Sequence, residues 1–173
     1  MNEASVTDAM IEPIKEIDRK EPINSQQAFD RCGAVAHKFP SEKVYTDWLV
    51  ANHHVVMEVL GLTGDAEPVV NSALPGDVKA RPDLILKTAD TWHIVEVKLT
   101  HPTRISHAVS HQFNGIGQLL RYQNLIKMPS KLYLMDAVIS QELLAVVQNN
   151  RLPITLIEFN PDYVLKVPAV TVQ

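Results

Sequence analysis

Two acids and a lysine stand close together in the middle of this chain: Asp83 directly after Pro82, then Glu96 and Lys98 on either side of Val97. Carboxylates are hard oxygen ligands of the kind that hold Mg²⁺ or Mn²⁺. A lysine beside them can orient a water or offset charge developing on a phosphate. Metal-dependent phosphodiester cleavage needs that combination. Glu-x-Lys on a strand is also an ordinary solvated face, and that reading requires Trp92 and Ile94, which share the face, to meet water.

The elements that would position these groups follow from the pattern around them. Residues 81 to 86 and 92 to 99 are rich in β-branched and apolar residues, and the polar connection 87 to 91 predicts a hairpin of two antiparallel strands. Alternation puts Trp92, Ile94, Glu96 and Lys98 on one face and His93, Val95, Val97 and Leu99 on the other. Asp83 falls at a strand's first residue, after a proline that cannot donate to the ladder. Downstream, a helix is predicted to begin between residues 106 and 117 and to run to about 127. Ile116, Leu119, Leu120 and Ile126 form its core stripe, while Gly115 and Gly117 lower its propensity. Gln118 and Tyr122 are four residues apart, so an amide and a phenol lie side by side, suited to hold a phosphate, a metal-bound water or the lysine. His107 and His111 are also four apart but have no third ligand in sight, and they read as solvated.

Taken in order, Pro82-Asp83, Glu96-Val97-Lys98 and Gln118-Leu119-Leu120-Arg121-Tyr122 resemble the PD-(D/E)XK nuclease superfamily, in its branch with a Gln-x-x-x-Tyr helix motif. Residues 41 to 52, SEKVYTDWLVAN, resemble the opening helix of the nuclease domain in archaeal and actinobacterial mismatch and branched-DNA endonucleases. The resemblance implies a restriction-endonuclease-like fold and a metal-dependent deoxyribonuclease hydrolysing phosphodiester bonds in DNA. By that resemblance Asp83 and Glu96 bind Mg²⁺ or Mn²⁺ with the Val97 carbonyl as a further ligand, Lys98 orients or activates water, and Gln118 and Tyr122 support them. The glutamate of the opening helix, matched here by Glu42, is implied to reach the site. Family members commonly carry a second acid four residues on, where this chain has Thr46 followed by Asp47, so either Glu42 or Asp47 is the one that approaches. The implied partner is DNA, with a homodimer or a larger nucleoprotein assembly as the working unit. A catalytically silent member of the same fold, acting as a nucleic-acid-binding or assembly subunit, is the alternative.

Length and composition bound these readings. With 173 residues, 46% of them apolar, the chain is expected to form one domain over 24–173, preceded by an arm or short helix over 1–23. A single cysteine, Cys32, excludes an internal disulfide and a cysteine-based zinc cluster; its Ala/Val-rich surroundings suggest a buried small hydrophobe. No long apolar run and no basic-then-apolar start are present, so a soluble cytoplasmic protein without a membrane partner is expected. The net charge of −4 is not that of a protein that coats nucleic acid with positive surface, although a local basic groove is compatible with it.

The remaining elements are read from periodicity and caps. A helix over 26–38 is capped by Ser25 and carries Ala28, Phe29, Cys32, Val35, Ala36 and Phe39 as its stripe; a second is capped by Ser41, with Val44, Trp48 and Leu49 inward. Residues 53–60 read as a strand, and 61–79 as a turn-rich hairpin or long loop in which Asp65, Glu67 and Asp77 are solvated. A strand over 131–135, a helix from Ser140 through 148 and a strand over 154–159 precede a short tail, and their order favours a parallel pair with a right-handed crossover. The fold class this predicts is α/β, a three-layer α/β/α sandwich with a central mixed sheet.

Overall fold

The computed structural model describes residues 33, 35–102, 107–159 and 164–169; the expected N-terminal arm and Cys32 lie outside them. Six strands form one sheet in chain order: β1 (Glu67–Val70), β2 (Leu84–Lys87), β3 (Trp92–Val97), β4 (Ser130–Asp136), β5 (Ile154–Phe159) and β6 (Val164–Val167). β1, β2 and β3 pair antiparallel, β3–β4 and β4–β5 pair parallel, and β6 returns antiparallel, so the sheet is mixed. Each parallel step is spanned by a helix, as parallel neighbours require. These are α3 (Ala108–Leu125) between β3 and β4, and α4 (Gln141–Asn149) between β4 and β5.

Alternation along the strands divides the core in two. Leu84, Leu86, Val95, Val97, Tyr133, Met135 and Ile157 face α1 (Glu42–Ala51) and α2 (His53–Leu60). Ile85, Ile94, Leu132, Leu134, Ile154 and Leu156 face α3 and α4. Both faces of the sheet are thus covered by helices, giving the expected three-layer sandwich, and the odd and even faces of β3 fall as alternation predicts. Serine caps fix two of the helices: Ser41 accepts from the Val44 N–H and Ser140 from the Leu143 N–H, each cap contributing about 1 kcal/mol.

Several expectations are corrected. Residues 53–60 form helix, not strand: Val56, Val59 and Leu60 share a buried stripe at spacings of three and four, and Gly61 ends the helix at φ 72°. A run of valines raises β propensity, but burial along one helical face overrides it. The 61–79 segment contains β1, and the tail contains β6. In α1, Tyr45 rather than Val44 points inward, its hydroxyl donating to the Phe159 carbonyl at 3.1 Å while Val44 is exposed. Asp77 is not simply solvated, because it pairs with Arg121 of α3 and accepts from the Lys79 N–H.

Candidate active site

The site is built where β2 and β3 part company. Their ladder stops at Leu84, paired with Val95, so the β3 backbone beyond it lacks a strand partner on that side. Two carboxylates substitute for the missing strand: the Val97 N–H donates to Asp83 Oδ2 at 2.8 Å, and the Leu99 N–H donates to Glu42 Oε2 at 3.1 Å. Between them the Lys98 N–H turns the other way and donates to the Met135 carbonyl of β4 at 2.8 Å. A strand residue sends its N–H and C=O to the same side, so the Val97 carbonyl shares the Asp83 side. Pro82, buried and without an N–H, leaves Asp83 free of ladder duties at the strand's threshold.

Glu96 and Lys98 lie on the opposite pleat, beneath α3, and are buried to 2% and 6% exposure. Lys98 Nζ donates to Glu96 Oε1 at 2.7 Å, whereas Glu96 Oε2 is buried with no donor in hydrogen-bonding geometry, the Tyr122 hydroxyl donating to the Arg81 carbonyl while lying near enough to pull the Glu96 pKa down. The ion pair is lopsided. Burial and the nearby Asp83 charge push Glu96 up to about 7, more than Lys98 pulls it down. Burial also works against charge on Lys98, but Glu96, Glu42 and Asp83 together outweigh it and hold the ammonium above its ordinary pKa. Lys98 is therefore a cation here, poised to donate and orient rather than to accept a proton. Asp83 is likewise raised, by desolvation against the opposing pull of the Val97 N–H and Lys98.

The orphaned Glu96 oxygen bears on the expected metal. A buried carboxylate oxygen with no donor costs about 1–3 kcal/mol, and a divalent cation would relieve it. Among the described residues no cluster of three or more His, Cys, Asp or Glu side chains is arranged to hold an ion. The available set is Asp83, Glu96 and the Val97 carbonyl, all oxygen. Mg²⁺ and Mn²⁺ suit such a set, since Mg²⁺ keeps several waters and takes one or two carboxylates plus substrate phosphate, whereas a closed zinc site would need His or Cys.

Helix α3 roofs this cluster, and Gly115 lets it lie close. A Cβ at 115 would stand 2.6 Å from Leu134 Cδ1 and 3.2 Å from Lys98 Cε, so only glycine allows the lysine stem to pass beneath the helix. Further along, buried Tyr122 donates to the Arg81 carbonyl at 3.4 Å and receives the Gln118 amide at 3.5 Å, both long bonds. Burial, with Glu96 and Asp83 nearby, drives the phenol pKa far up, so Tyr122 stays a neutral donor under the turn that carries Asp83.

Of the two acids of α1, Glu42 is the one that reaches the segment after Lys98. Asp47 is exposed and salt-bridged to Lys43 at 2.5 Å, while Glu42 reaches the Leu99 amide and also His111 Nε2, at 2.6 Å. His111 is thus not a free solvated histidine. A second group escaped the sequence reading: Asp136 at the end of β4, fully buried, accepts from the Thr100 N–H and hydroxyl at 2.6 and 2.8 Å and from the Gln112 amide at 2.7 Å. This network anchors the segment after Lys98 to β4 and α3. The place of His111 was signalled, though not its partner, since 111, 115, 118 and 122 make one helical stripe that extends the Gln-x-x-x-Tyr pair backwards; nothing of the kind marks Asp136.

No family model matches this chain, and no curated protein matches it. One solved structure is similar, the small subunit (R.BspD6I2) of the heterodimeric restriction endonuclease R.BspD6I. It has a TM-score of 0.47 and 13% identity, covering 76% of this chain and 70% of that one. No described helix is long and apolar enough to cross a membrane.

Proposed function

We propose that this chain is a Mg²⁺- or Mn²⁺-dependent deoxyribonuclease of the PD-(D/E)XK type, with Asp83, Glu96, Lys98 and Glu42 at its centre and Gln118 and Tyr122 in support. The observation that carries the reading is the buried Glu96 carboxylate, one oxygen on Lys98 and the other without a donor, in the field of Asp83. Held by Asp83, Glu96 and the Val97 carbonyl, a divalent cation would polarise the scissile phosphate as a Lewis acid. Lys98, kept charged and clamped by Glu96, would donate to a non-bridging phosphate oxygen or orient the attacking water as negative charge builds in the transition state. Tyr122 and Gln118 would hold the Asp83 turn from below, and Glu42 would fix the backbone just past Lys98.

The test is cleavage of single-stranded, duplex and branched DNA in Mg²⁺, Mn²⁺, Ca²⁺ and chelator. Cleavage in Mg²⁺ or Mn²⁺, with binding but no turnover in Ca²⁺, is expected, because Ca²⁺ takes the same oxygens with looser geometry. Cleavage that survives the chelator would remove the two-carboxylate site from the mechanism. DNA binding with no cleavage in any metal would make the chain a silent binding subunit.

A further inference from the structure

We propose that His111 is a positioning residue of the active site, fixing the Glu42 carboxylate and, through the Leu99 N–H on the same oxygen, the backbone that carries Lys98. The inference rests on the nuclease reading above for its catalytic consequence, but its geometry stands alone. Three elements meet at Glu42 Oε2: the first turn of α1 supplies the acid, the segment after β3 supplies the Leu99 N–H at 3.1 Å, and the first turn of α3 supplies His111 Nε2 at 2.6 Å. A carboxylate oxygen accepts, so Nε2 is the donor in this bond.

Stability is a poor account of this pair. The two side chains are 41% and 38% exposed, on the wall of a groove of about 740 Å³ between α1 and α3, and pairs so wet contribute little. What the histidine does is remove choice. Without it, a glutamate in the first turn of a helix can rotate into the groove, and Leu99 loses a well-placed acceptor. The Glu42 charge is also felt at Lys98 and Asp83, so its placement bears on both.

The experiment compares His111→Ala, His111→Gln, Glu42→Gln and the Ala/Gln double variant. In metal-free protein, amide exchange at Leu99 should quicken by about tenfold in His111→Ala, and be largely restored in His111→Gln, whose amide can donate over a similar reach. In cleavage, His111→Ala should lower kcat by about tenfold with KM unchanged, and add nothing in the Glu42→Gln background. Melting temperatures should stay within a few degrees of the parent. A raised KM at unchanged kcat would make His111 a substrate contact and overturn the proposal, as would an undisturbed Leu99 amide or failure of both single His111 variants to fold. If the parent protein cleaves no DNA, the nuclease reading falls, while the Leu99 amide still decides whether His111 holds Glu42.

Discussion

Glu96 binds its proton more tightly in the folded chain than in the unfolded one, because burial and the Asp83 charge lift its pKa from 4.5 to about 7. The sign of the pH dependence follows. Between those values the native state holds more protons than the unfolded state, so the Glu96 contribution to metal-free stability is fully present below 4.5 and is lost as pH rises through 7, ~3 kcal/mol in all. Urea unfolding in chelator at pH 5 and pH 8 should show this decline, and Glu96→Gln should flatten it. The same proton competes with a cation, so metal affinity should rise over that window. Lys98 makes the complementary prediction: Lys98→Ala should lower turnover at least ~10²-fold while Ca²⁺-supported DNA affinity moves little, as expected for a charge acting on the transition state. Affinity falling in step with rate would instead mark Lys98 as a phosphate-binding surface group.

At the scale of elements, the two glycines of α3 separate packing from propensity. Gly115→Ala places a methyl against Leu134 and the Lys98 stem, and overpacking of about 1–3 kcal/mol should exceed the gain of up to about 1 kcal/mol in helix propensity. Gly117→Ala meets nothing within 4 Å and should stabilise by about 0.5–1 kcal/mol. Thermal melts of the two variants should move in opposite directions, with cleavage lost only in the first. From sequence, Gly115 reads as a mere weakness in the helix; its reason is a neighbour from another strand, which no local pattern reveals. The β2–β3 hairpin, α4 with its Ser140 cap, and β5 were legible because alternation, caps and turn residues agree there. α2 was not, since three valines in eight residues speak for strand while their burial is decided by tertiary packing. The acid pair and lysine were legible as types and spacing; the Glu42–His111 link, between helices far apart in the chain, was not.

The described residues form one mixed sheet faced with helices, and a net charge of −4 is not that of a chain that coats nucleic acid with positive surface. We therefore expect the active unit to be a homodimer or part of a larger nucleoprotein assembly. Specific activity should fall on dilution, and light scattering should show more than one chain. A monomer fully active at low concentration would contradict this. The carboxylates that complete the β3 edge have a consequence for the order of folding. Asp83 is separated from Val97 by 14 positions, whereas Glu42 is separated from Leu99 by 57. Closing the longer loop costs more entropy, and the Glu42 bond adds only one half-buried contact in return, so that bond should form after the sheet has nucleated. Glu42→Gln should then quicken unfolding and leave the refolding rate nearly untouched, a φ-value near zero, in stopped-flow chevrons. The Glu42 side of the candidate site would be the last part of it to set and the first to loosen.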